Sequence, residues 1–202
     1  MTRNVCWWLY AGISFLVLFL GIGSQAWAAA EHKILAPEFG ISFADYETSK
    51  ISSHFNDFSG TLPAVGLSVM TLKPSNWAWG MKILSTQGKD DEQTLQLWSL
   101  GLLAGYKFGS TFYFFPSLIA GMSFVTFTNH IRDTETENVE TAYAYNGRGF
   151  FLGPRQAIGV MITNNFSINV WGQYQYHVPN ISDSGMEAFD NAYVGVGLAS
   201  TF

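Results

Sequence analysis

Cysteine is nearly absent from this sequence: Cys6 is the only one. It lies at the start of the one long apolar run, so the chain after that run carries no thiol. A disulfide framework is thereby excluded, as are a thiolate nucleophile and a cysteine-based zinc site. Histidine is scarce too, and His32, His54 and His130 stand apart without zinc-type spacing. No metal and no cofactor is expected. Charged residues make up only 12% of the chain and sum to a net charge of -5, which leaves no footprint for nucleic-acid binding. After Ala30 no run is apolar and long enough for a membrane helix, and no helical period stands out.

What is present begins at the N-terminus, with "MTRNVCWWLYAGISFLVLFLGIGSQAWAAAEHK". Arg3 gives a short positive start, Val5 to Ile22 is apolar, and small residues follow. Ala26-Trp27-Ala28 and Ala28-Ala29-Ala30 are two A-x-A sites, so the layout is that of a secretory signal peptide cut after Ala28 or Ala30. An uncleaved anchor is the competing reading, because the run approaches spanning length. Export without cysteine suits a bacterial envelope better than a small secreted disulfide domain. Residues 1–30 are thus expected to be a signal peptide and 31–202 one domain.

That domain alternates with period two, the signature of half-buried strands. In "FSINVWGQYQYHV", Phe166, Ile168, Val170, Tyr174, Tyr176 and Val178 share one face, and Ser167, Asn169, Trp171, Gln173, Gln175 and His177 share the other. Phe39, Ile41 and Phe43 oppose Glu38, Gly40 and Ser42 in the same way. So do Trp77, Trp79, Met81 and Ile83 against Ala78, Gly80 and Lys82, and Val194, Val196 and Leu198 against Gly195, Gly197 and Ala199. About eight such strands can be counted, the minimum for a membrane barrel. They fall near 35–46, 60–72, 77–86, 94–106, 111–128, 148–163, 166–178 and 190–202. Connections at 73–76, 107–110 and 163–165 are short, and those at 47–59, 87–93, 129–147 and 179–189 are longer. Short turns on one rim and long loops on the other are the habit of outer-membrane barrels.

The large apolar residues hold one face, while Gly, Ser, Ala, Gln and the few strand charges hold the other. Large side chains cannot all fill a narrow eight-stranded lumen, so the apolar face is expected to meet lipid. A soluble lipocalin-like barrel, with the faces reversed, is the competing architecture. The expectation is therefore an all-β, eight-stranded, antiparallel up-and-down transmembrane barrel after a signal peptide. The architecture resembles the small outer-membrane barrels of the OmpA and OmpX type along the whole chain after residue 30. The resemblance implies location in the bacterial outer membrane, among lipid that includes lipopolysaccharide. The ending "NAYVGVGLASTF" resembles the assembly signal of such proteins, with Gly197 and Phe202 in place and Ser200 where an apolar residue is usual. That implies the barrel-assembly machinery as a partner of the last strand.

Three sets of residues could carry chemistry. Glu38, Lys82 and Arg155 share the interior face, where a buried charge needs a partner, so Glu38 is expected to pair with one or both cations. The group would either gate ions or plug a narrow lumen. Second, "YQYHVPNISDSGMEAFDNAYVGVGL" resembles the end of the lipid A deacylases, which are eight-stranded outer-membrane barrels that hydrolyse an acyl ester. His177 and Asn180 match their H-x-S-N pattern, Pro179 stands in place of the nucleophilic Ser, and Glu187 could supply the acid; Ser182 and Ser184 lie nearby out of register. A hydroxyl–imidazole–acid relay needs its hydroxyl within hydrogen-bond reach. Parity instead places His177 on the interior face, away from a lipid substrate. Third, Asp133, Glu135, Glu137 and Glu140 make one long loop acidic. It could bind divalent cations near lipopolysaccharide phosphates, but EF-hand spacing is missing and a solvated extracellular loop is the plainer reading. A non-enzymatic barrel acting in envelope structure or surface interaction is the first expectation. An acyl-ester hydrolase and a narrow, porin-like pore are the alternatives.

Overall fold

Period-two alternation commits a segment to a strand because only a strand gives each set of side chains a face of its own. A computed structural model of the chain describes residues 31–46, 58–90, 93–132, 139–179 and 188–202; for 90, 130–132, 139–143 and 179 it describes the backbone alone. The expected signal peptide, and Asn180, Ser182, Ser184, Glu187 and the acidic Asp133, Glu135 and Glu137, lie outside the described residues. The strands are β1 (His32–Tyr46), β2 (Phe58–Leu72), β3 (Trp77–Asp90), β4 (Gln93–Tyr106), β5 (Phe112–Arg132), β6 (Val139–Thr163), β7 (Phe166–Pro179) and β8 (Phe189–Thr201). Each pairs antiparallel with the next, and β8 pairs back with β1 to close a barrel. Lys33 and Phe202 exchange both backbone hydrogen bonds at 2.9 Å, which extends that seam to the rim. Closure leaves no unpaired sheet edge, the condition for spanning lipid with strands.

Three connections at one end are tight. Asn76, with φ of 63°, ends the β2–β3 turn and donates its N–H to the Lys73 carbonyl at 2.9 Å. Gly109, with φ of 86°, lies in the β4–β5 turn. Asn164 and Asn165 join β6 to β7. In outer-membrane barrels the short-turn end is the periplasmic rim.

The outer face is apolar. Reading across the ladders, Val65, Phe39, Val196, Val170, Ile158 and Phe114 form one register row over six strands, each pointing outward and exposed. Toward the short-turn rim, Trp77 packs edge-on against Tyr106, Tyr106 contacts Phe108, and Phe108 stacks on Phe114, with ring centroids 5.6, 4.7 and 6.3 Å apart. This is a segment of the aromatic girdle that such barrels place at the lipid–water boundary.

Two expectations are corrected. The interior is not reserved for small and polar residues: Leu95, Leu97, Leu103, Ile119, Phe127, Phe151 and Trp171 are buried inside. They fit because glycines face them. A Cβ on Gly101, for example, would come within 2.8 Å of the Phe151 ring, so small and large side chains alternate across the lumen. The second correction concerns 129–147, expected as an acidic loop. β5 runs to Arg132 and β6 starts at Val139, so Glu140 belongs to a strand. The hairpin continues because the inward Phe127 and Tyr145 rings still meet there, 6.4 Å apart. Residues 87–90, expected as part of a loop, likewise belong to β3 and pair with β4.

Candidate functional site

Glu38 enters the lumen from β1, where its register partners on both sides, Gly66 and Gly197, have no side chain to crowd it. Lys82 enters from β3 and Arg155 from β6. The Lys82 ammonium lies 2.6 Å from Glu38 Oε2, and Arg155 Nη2 lies 2.8 Å from Glu38 Oε1. Ser68 donates its hydroxyl to the same Oε1 at 2.9 Å, and Lys82 donates to Gln173 Oε1 at 2.7 Å. The ammonium also sits 4.1 Å from the centroid of the Trp171 ring, whose face attracts cations, with the Arg155 guanidinium carbon at 5.9 Å. All three charged side chains are buried. One carboxylate therefore serves two cations, and Arg155 Nε and Nη1 have no acceptor among the described residues.

Beyond this layer, away from the short turns, the lumen stays occupied. Ser99 donates to Gln175 at 3.2 Å, and Asn191 donates to the hydroxyls of Tyr46 and Tyr193. Tyr46 then contacts Phe58, Phe127 and Phe189 with centroids 6.4, 5.8 and 4.7 Å apart, an aromatic cap near the far rim.

His177 lies at this level. It faces inward, is 1% exposed, and stacks almost parallel on Phe189 at 4.4 Å with Phe151 at 5.6 Å. Neither ring nitrogen has a hydrogen-bond partner among the described residues. No described hydroxyl or carboxylate thus polarises this imidazole, and it does not face the lipid side. Pro179 pairs with Gly149 in the β6–β7 ladder. Phe202 lies on the outer face at the rim, and Gly197 faces the lumen beside Asn169. Among the described residues no group of His, Cys, Asp and Glu is placed to hold a metal ion.

At the short-turn end the lumen opens into a cavity of about 230 Å³. Arg155 contributes to its wall from the charged layer, and Lys107 reaches it from the β4–β5 turn. The Lys107 ammonium lies over the Tyr113 ring at 5.0 Å, and partial burial there lowers its pKa from the ordinary lysine value. Tyr113 and Ser167 share a hydrogen bond of 3.2 Å. Sequence reasoning missed this cavity, although a signal existed. Ala36, Ala78, Ala157 and Ala199, inward residues near the same rim, all line it and leave the space unfilled.

A closed eight-stranded meander with an apolar outer belt and a filled, charged lumen is the fold of an integral outer-membrane β-barrel. The sequence matches no protein-family model, and no curated protein matches it by sequence. The fold is similar to that of Neisserial surface protein A, with a TM-score of 0.58 and 12% identity, covering 86% of this chain and 100% of that one. It is also similar to Ail, the attachment invasion locus protein of Yersinia pestis (TM-score 0.53, 11% identity, 87% and 100% covered). A major outer membrane protein from Thermus thermophilus is a third (TM-score 0.53, 15% identity, 87% and 100% covered). At these identities the fold is what is shared.

Proposed function

We propose that this barrel is a closed, non-enzymatic outer-membrane protein that acts at the cell surface through the rim opposite its short turns. The observation that carries the reading is strand length. A membrane strand needs about 9–11 residues, whereas β5 has 21 and β6 has 25. Both leave the bilayer well behind, and their hairpin stands out from the rim as a protrusion on which a partner can act. Lipid, lipopolysaccharide included, surrounds the outer belt in this reading. The lumen supports a closed state: Glu38, Lys82, Arg155 and Trp171 lie across it, with the aromatic cap beyond. Acyl-ester hydrolysis has less support, because His177 stacks inside the lumen on Phe189.

Two measurements test this. Lipid A from cells overproducing the chain is expected to keep its full mass; loss of one acyl chain would establish the hydrolase instead. In planar bilayers the wild type and Glu38→Gln are both expected to give no conductance steps. Steady steps from the wild type would make the barrel a pore, and steps from the variant alone would make the charged layer a gate.

A further inference from the structure

We propose that the cavity at the short-turn end binds a small amphiphilic carboxylate, with its head on Arg155 and its apolar tail toward the rim. Three observations converge on it. First, the buried layer has an unbalanced charge: among the described residues the lumen holds Glu38 against Lys82 and Arg155. The site that lies next to it therefore favours an anion. Second, Arg155 is 3% exposed and lines the cavity, and its Nε and Nη1, both buried, donate to no acceptor among the described residues. Among the described residues its guanidinium donates through Nη2 alone, to Glu38. A guanidinium with donors still available on Nε and Nη1 can donate charge-assisted hydrogen bonds to a carboxylate. Third, the remaining wall is mainly apolar. Ile34, Met70, Leu72 and Phe115 line it, joined by the inward alanines. A bare inorganic anion would gain nothing from that surface, whereas a short acyl chain would be drawn from water by it. Lys107 at the mouth adds a second cation on the entry path.

The cavity opens at the short-turn rim, between the β1 and β8 ends and the β6–β7 turn, so its ligand would arrive from the periplasmic side. Its lining residues on β5 and β6, Tyr113, Phe115, Arg155, Ala157 and Met161, belong to the short-turn half of the long β5–β6 hairpin and not to its far end. Its success or failure is thus independent of the surface role proposed above.

Hexanoate labelled with ¹³C at the carboxyl is the probe, added to the refolded full chain in lipid nanodiscs. Saturable binding with a shifted carboxyl resonance is expected. Hexanol and inorganic phosphate, each carrying half of the chemistry, are expected to bind at least tenfold more weakly. Ala157→Leu fills the cavity while leaving the charged layer intact, and should weaken hexanoate at least tenfold. Lys107→Gln lies in a turn, outside the barrel wall, and should weaken it a fewfold without affecting folding. Heat-modified mobility on gels checks that each variant is folded; should Ala157→Leu not fold, Ala199→Leu near the rim takes its place. Absence of saturable hexanoate binding, equal binding of hexanol or phosphate, or binding that survives cavity filling would each overturn the proposal.

Discussion

Glu38 is the residue on which the interior depends most. Its two oxygens receive Lys82, Arg155 and Ser68, so its charge offsets two cations taken out of water. Removing one partner of a buried pair leaves the other unpaired and costs about 3–5 kcal/mol. Glu38→Gln should therefore lower stability by about that amount in urea titrations of the lipid-embedded barrel. Lys82→Met should cost clearly less, because Glu38 keeps Arg155 and the layer becomes neutral. Equal losses for the two would mean that charge imbalance is not what the layer controls. Part of this arrangement is legible in the sequence. Alternation admits two faces, so it suffices to put Glu38, Lys82 and Arg155 on the same one. It does not give depth along the axis, which comes from ladder register. Nor does it show that Trp171, a polar-face outlier by composition, supplies the ring under both cations. The surroundings of His177 were half legible. Parity put it in the lumen, but its stack on Phe189 is set by a pairing across β7 and β8 that no local pattern reveals.

Among the elements, turns and hairpins differ in how far sequence marks them. The short turns announce themselves, since "KPSN" and "KFGS" hold the residues that tolerate a left-handed backbone. Gly109 is the stricter case. Its φ is 86°, and a Cβ there would lie 2.2 Å from the Phe112 carbonyl oxygen. Gly109→Val should cost about 1–3 kcal/mol, while Asn76→Gly, at φ of 63°, should be neutral within error. Urea midpoints of the two variants check the contrast, and a tolerated valine at 109 would show that the turn can be rebuilt. The long hairpin of β5 and β6 is marked poorly, for a physical reason. Above the bilayer the outer face meets water, so its residues no longer need to be apolar and the alternation loses one half of its signal. Thr126 and Asn146, hydrogen-bonded to each other at 2.9 Å, illustrate this. The inner half persists in Phe127 and Tyr145, and it is what keeps the ladder going.

At the scale of the whole molecule, the sequence could describe two barrels that differ only in which face is turned outward. Composition favoured apolar-out by weight of large residues, yet the interior also proved rich in Leu and Phe. The discriminating feature is the continuous outer row through Phe39, Val196, Val170 and Ile158, all between 51% and 66% exposed. In water such a belt is a large apolar patch of the kind soluble monomers avoid; in lipid it is required. Val196 lies near the middle of β8 with Phe39 and Val170 as its register neighbours. An arginine there cannot reach water along the strand without crossing apolar surface, and at the bilayer midplane such a charge costs about 2–4 kcal/mol, falling toward zero near the interfaces. Val196→Arg should therefore destabilise the lipid-embedded barrel by an amount in that range, while Ile162→Arg, exposed beside the β6–β7 turn, should cost much less. The depth dependence is the diagnostic part, because a merely steric effect of arginine would not grade with distance from the rim. If Val196→Arg folded in lipid with unchanged stability, the apolar belt would not be the surface that meets the bilayer.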